Sequence, residues 1–203
     1  MPRCGGPSPK PLPPHRPRPR SKPMPDVAQD ETTSTRTIIS RVAARLADEG
    51  AIGDRATLRR IAFEAPDAPA FWRIVVGELR AVLPEAPPYR EEHERRWAAI
   101  LGGLAEVAGA GLHVPKRRLG EAAAEAKLHE MRVLKLLRAH GDALLALVRP
   151  LAHQLVSKGV PVDWADVAEL VLSDGRSGED RVRRNLARSY YSAVSRQTTS
   201  QES

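Results

Sequence analysis

Between residues 142 and 158 the chain sets Leu144, Leu145, Val148, Leu151, Ala152, Leu155 and Val156 three or four residues apart. That spacing puts all seven on one broad stripe of a helix, which must bury the stripe against other helices. Gly159 supplies a left-handed stop, and Pro161 prevents continuation. Asp163 is placed to cap a following helix, with Asp166 in the first turn where the helix dipole favours an acid. The same period recurs from Thr37 onward. It predicts helices over about 37–48, 54–64, 69–83, 90–109, 116–126, 129–139, 142–158, 163–173 and 178–194. In the third, Phe71, Trp72, Val75, Val76, Leu79, Val82 and Leu83 share a face while Arg73 and Arg80 point away. In the fourth, Trp97, Leu101, Leu104 and Ala108 lie on one side. Gly102 and Gly103 should weaken that helix by about 1 kcal/mol each unless another backbone packs closely there. Aromatic residues are only 4% of the chain, and nothing reads as a strand.

The expected fold is therefore all-α. Short connections imply two small antiparallel bundles, 36–112 and 113–196. A Pro/Arg-rich tail (1–35) precedes them and a short tail (197–203) follows, both expected to be disordered. Ten of the first 25 residues are proline, which donates to no helix or sheet ladder. The net charge of +7 is less informative than it looks. Six bases and no acid fall in residues 1–25, leaving 26 bases against 25 acids in the rest. Any phosphate-binding surface on the folded part must come from the arrangement of charge rather than its total.

Several chemistries find no support. No run of about 18 apolar residues suggests a membrane span, and the first 25 residues lack the apolar core of a signal peptide. Cys4 is the sole cysteine, so no disulfide or zinc framework is expected, which fits a reducing cytoplasm. There is no Gly-rich phosphate loop and no HExxH, and no cofactor or small-molecule ligand is expected. His93 falls on the apolar side of its helix and reads as a core or interface histidine with its hydrogen bonds satisfied; His129, His140 and His153 lack metal spacing to one another. Asp163 and Asp166 resemble half of a two-metal nuclease site, but capping accounts for both without a third carboxylate. Ser189, Tyr190 and Tyr191 have no nearby base. The chain is expected not to be an enzyme.

The basic clusters are more informative. Arg55, Arg59 and Arg60 sit near the start of one helix, and Lys116, Arg117 and Arg118 open another. Arg132, Lys135 and Arg138 recur every three residues, on the flank opposite Val133, Leu134 and Leu137. Arg181, Arg184 and Arg188 lie opposite Val182, Leu186, Tyr190 and Ala193. Arginine's planar fork suits bidentate phosphate contact. Solvated helix faces and a protein–protein scaffold explain the same pattern, so both readings stay open at this level. Trp72 and Trp97 read as core, which leaves no aromatic stacking platform; any nucleic-acid contact should be to the backbone and insensitive to sequence.

Several segments together resemble a known family. They are Gly53–Asp54–Arg55–Ala56–Thr57–Leu58–Arg59–Arg60, Pro69–Ala70–Phe71–Trp72–Arg73, Leu119–Gly120 and Arg132 to Arg138. They continue with Gly159–Val160–Pro161–Val162–Asp163–Trp164 and Arg183 to Tyr191. In order and spacing, over about 37–195, they resemble CasB, the small subunit of the type I-E CRISPR Cascade complex. The resemblance implies a two-bundle helical protein, paired with a second copy of itself and lying against the backbone and large subunits. It implies contact with guide RNA and with target and displaced DNA, stabilising an R-loop without cutting. The family's phosphate contacts would carry over to Arg59, Arg60, Arg132, Lys135 and Arg138, then Arg149, with Arg55, Lys116 and Arg117 as further candidates. Two positions depart from the pattern: Glu121 stands where members often have arginine, and Ser173–Asp174 where they often have tryptophan. The proline-rich tail has no counterpart.

Overall fold

A computed structural model describes residues 34–201. The expected disorder of the N-terminal arm, apart from residues 34 and 35, lies outside them. The helices are α1 (Thr35–Ala47), α2 (Ile52–Leu58), α3 (Pro69–Ile74), α4 (Pro87–Gly109), α5 (Leu119–Glu125), α6 (Glu130–Arg138), α7 (Gly141–Ser157), α8 (Trp164–Ser173) and α9 (Glu179–Gln201). A single 3-10 turn, Glu49–Ala51, leads into α2, and a π-helical turn, Val75–Leu79, follows α3. No strand occurs among the described residues; the nearest thing is one parallel pairing of His113 with Val162. The expected all-α class is what the chain adopts.

Local chemistry explains several of the ends. Ser34 caps α1 by accepting from the Thr37 amide at 3.2 Å. Asp163 caps α8 by accepting from the Ala165 amide at 3.0 Å. Gly159 has φ +64°, so the left-handed stop after α7 is real. At the C-terminus α9 runs on to Gln201 through residues expected to lie outside it. The hydroxyls of Thr198 and Thr199 donate to carbonyls four residues back, compatible with continued helix.

The expected helix 69–83 is corrected. Regular helix ends at Ile74 and gives way to the π turn. Phe71, Ile74, Val75 and Leu79 form the buried face. Trp72 and Val76 fall one position off it and stand 41% and 69% exposed. Seven apolar residues made too wide a stripe for one contact, and the packing took its middle. Trp97 is core as expected, at 2% exposure.

α4 is the spine. It packs along α7 and also meets α1, α2 and α8, while α5 lies along α9. The packing thus crosses residue 112, since α7 and α8 share the core of the N-terminal helices. Gly102, with the Leu58 carbonyl 3.3 Å from where a Cβ would sit, and two other glycines are explained by neighbours. A Cβ at Gly103 would sit 2.9 Å from one carbon of the Trp164 ring and nearer still to another. A Cβ at Gly120 would lie 2.6 Å from the Leu186 carbonyl and the Tyr190 amide, so this glycine lets the α5 and α9 backbones close together.

Candidate nucleic-acid interface

The site begins with the joint between α5 and α8. The strand-like pairing puts the loop before α5 beside the loop before α8: Val114 N donates to Val162 O at 3.0 Å, and Val162 N to Leu112 O at 2.9 Å. Asp163 N then donates to Arg117 O at 2.7 Å. The Asp163 carboxylate, 1% exposed, accepts from the Lys116 amide at 2.7 Å and pairs with Arg36. Asp166 accepts from the Leu119 amide at 3.0 Å and from Arg36 at 3.1 Å. Glu169 completes the clamp on Arg36 at 2.8 Å. The two aspartates are therefore caps and joints, and the cation between them is a guanidinium. The Gly159–Trp164 motif is this joint written in sequence.

The predicted contacts separate into engaged and unengaged cations. Arg55 donates to the carbonyls of Leu46 and Asp48 at 2.7 and 2.6 Å, closing the end of α1. Arg59 donates to Ala105 O at 3.3 Å and pairs with Glu106 at 3.3 Å. Arg117 is held by Glu125 and, at 3.7 Å, by Glu121. That pairing, with Arg196 at 3.5 Å, is what Glu121 does at its divergent position. Arg149 donates to Ile61 O, tying α7 to the segment after α2. Arg132 donates to Gln154 at 2.6 Å. Arg60, Lys135, Arg138 and the Lys116 side chain are exposed. Among the described residues none of these four side chains has a hydrogen-bond or ion-pair partner. The structure does not gather all of these bases onto one surface. Arg132 and Lys135 rim a groove of about 250 Å³ between α6 and α7, floored by Leu136, Leu147 and Leu151. Lys116 lines a different cleft, beside Arg118 and Arg181.

Sequence reasoning missed Arg183. It is buried and donates to Leu137 O at 2.7 Å and Ala139 O at 2.8 Å, and it pairs with Asp174 at 2.9 Å and Glu179 at 2.6 Å. Asp174 also accepts from the Gly141 amide at 2.7 Å and meets His140 at 2.8 Å. Burial pushes its carboxyl up, but the Gly141 amide, His140 and Arg183 outweigh that and hold it below the usual carboxylate range. Asp174, divergent from the family pattern, is thus the centre of a joint between α7, α8 and α9. His140, Asp174 and Glu179 bring possible metal ligand atoms within 4.8 Å of one another, and Arg183 supplies a cation to that group already. The apolar spacing before Arg183 gave no sign that its side chain turns inward.

His93 is buried as expected but not fully satisfied: Nδ1 has no partner among the described residues, while Nε2 lies against Arg176. Burial, then Arg176 and Arg96, push its pKa down. His113 is also pushed down by burial; its Nδ1 accepts from the Trp164 amide at 3.2 Å. No helix among the described residues is long and apolar enough to cross a membrane.

Residues 54–191 match the family described as CRISPR-associated protein Cse2. Among solved structures the fold is similar to that in "Crystal structure of M. ruber CasB", with a TM-score of 0.60 and 19% identity. The match covers 82% of this chain and 98% of that one. At that identity the likeness is one of fold. No curated protein matches the chain.

Proposed function

The chain belongs to the CRISPR-associated Cse2 family, and on that footing we propose that it is a non-catalytic subunit of a cytoplasmic CRISPR Cascade complex that holds nucleic-acid backbone. It would stabilise the R-loop between guide RNA and target DNA through contacts insensitive to sequence, in company with a second copy and the backbone and large subunits. The observation that carries the reading is that four of the expected contacts, Arg60, Lys116, Lys135 and Arg138, have exposed side chains with no partner of their own among the described residues. Arg36, Arg55, Arg59, Arg117 and Arg183 are all engaged within the fold, whereas these four are available to an external anion. R-loop formation is a near-balanced exchange, so a few backbone contacts suffice to tip it.

The test is filter binding of single-stranded DNA across a salt series, comparing the full chain with an R60E/K135E/R138E variant that keeps the tail. Each lost phosphate contact should lower the slope of log affinity against log salt by about 0.7. Equal slopes would sink the reading. A scaffold role has one observation in its favour, the exposed Trp72 and Val76 on successive turns. It predicts partner recovery after nuclease treatment and no DNA binding by the isolated chain.

A further inference from the structure

A cleft of about 560 Å³ opens between the first turn of α1, the loop before α5, α8 and α9. That volume lies within the range of about 300–1,000 Å³ usual for small-ligand sites. Its floor is apolar, formed by Leu119, Leu170 and Leu186. Lys116, Arg118 and Arg181 stand on its rim, all exposed, and their side chains have no hydrogen-bond or ion-pair partner among the described residues. Arg181, Asn185 and Ser189 recur every four residues and make one row along α9. The α8 wall is different in kind. Asp166 and Glu169 lie there, clamped on Arg36. The cleft therefore offers cations on its α5 and α9 sides, carboxylate oxygens on its α8 side, and an apolar floor between.

We propose that this cleft takes one unpaired nucleotide of a single strand. Its base would lie on the apolar floor, its phosphate on Lys116, Arg118 and Arg181, and a sugar hydroxyl or base N–H would face Glu169. This rests on the nucleic-acid reading above and adds a place and a mode to it. A nucleotide matches all three parts, with a phosphate for the cations, a flat apolar base face for the floor and hydrogen-bond donors for the carboxylates; an acidic peptide offers no such face to Leu119, Leu170 and Leu186. The backbone at Lys116 supports the assignment. Its φ of +67° is a left-handed conformation that is costly for a lysine. It is held there by the hydrogen bond that its backbone N–H donates to the Asp163 carboxylate, while its side chain borders the cleft. Such strain at a cleft is a frequent mark of a ligand clamp.

The experiment uses the full chain and a ten-nucleotide single strand with one 2-aminopurine. Binding followed by anisotropy should be accompanied by a rise in 2-aminopurine emission as that base leaves its stack. Asn185→Met, which fills the cleft from an exposed position, should abolish the rise and weaken binding. An abasic site in place of the 2-aminopurine should weaken binding to the unmodified chain. Lys116→Gly should lower the salt slope by about 0.7 with thermal stability held or raised. Binding without any change in emission, unaffected by Asn185→Met, overturns the cleft while leaving phosphate binding intact. No binding at all overturns both readings. Displacement of the strand by equimolar AMP overturns the strand assignment in favour of a free nucleotide. A fall in stability for Lys116→Gly overturns the role given to Lys116.

Discussion

Replacing Gly103 by alanine would bring a methyl group against the Trp164 ring, 2.9 Å from one carbon and closer to its neighbour. Trp164 is fully buried, and its indole N–H donates to Ile100 O at 2.9 Å. The ring has no room to retreat without giving up that bond. Overpacking of this kind costs about 1–3 kcal/mol, and weakening a buried hydrogen bond costs about 1 kcal/mol more. Helix propensity works the other way, by about 1 kcal/mol in alanine's favour. The balance is a destabilisation of about 2 kcal/mol. At about 2–4 °C per kcal/mol for a domain this size, Tm should fall by about 6 °C. Circular dichroism melts measure it, with Gly53→Ala as the internal control. Gly53 lies in the first turn of α2 with nothing within 4 Å of a Cβ there, so that variant should gain about 0.5 kcal/mol. If Gly103→Ala instead melts higher, as Gly53→Ala should, the α4–α8 contact is not as close as described and the account of Gly103 is wrong.

Arg183→Ala should destabilise by about 3–5 kcal/mol, because it leaves Asp174 charged and buried and strips donors from two carbonyls. Arg183→Lys should not restore it, since one ammonium cannot span the same partners; urea titration giving a loss under about 1 kcal/mol refutes the joint. Stability should also fall in mild acid. His93 and His113 have folded pKa values below the ordinary 6.5, so the unfolded chain takes up protons first as pH drops through that value. Their contribution is complete above about 6.5 and is lost progressively below it; melts from pH 8 to 5 should show the slope, and His93→Phe should flatten it. A second loss should set in at lower pH, once Asp174, held below its ordinary 3.8, is forced to protonate.

The helices were legible because their signals are local. The stripe from Leu144 to Val156, the stop at Gly159 and the cap at Asp163 each depend on residues a turn apart, and each appears where the spacing put it. Trp72 was misplaced because a wide stripe does not say which part of it meets the core; that depends on α2, packed against α3, and on α1, packed against the π turn. The role of Gly103 needed Trp164, 61 residues away, and that of Arg183 needed carbonyls on α6 and a carboxylate on α8. Such pairings are long-range, and no single-residue pattern encodes them.

The same limit governs the candidate site. Helical spacing places a base on an outer flank, and Lys135 and Arg138 are exposed as it put them; Arg60, expected inside a helix over 54–64, is exposed just past the end of α2 at Leu58. The spacing says nothing about whether that flank faces a carbonyl or a carboxylate. Arg55 and Arg59 look like their neighbour Arg60 in sequence, yet the ends of α1 and α4 engage both. Arg117 sits between Lys116 and Arg118 and is the one of the three that acids hold. An arginine whose donors are already matched has less to offer a phosphate, because binding must first break what holds it. Counting bases therefore overstates a phosphate surface, and subtracting the engaged ones moves the emphasis. It leaves Lys116, Arg118 and Arg181 around one cleft, which the clusters read from sequence had divided between two separate helices.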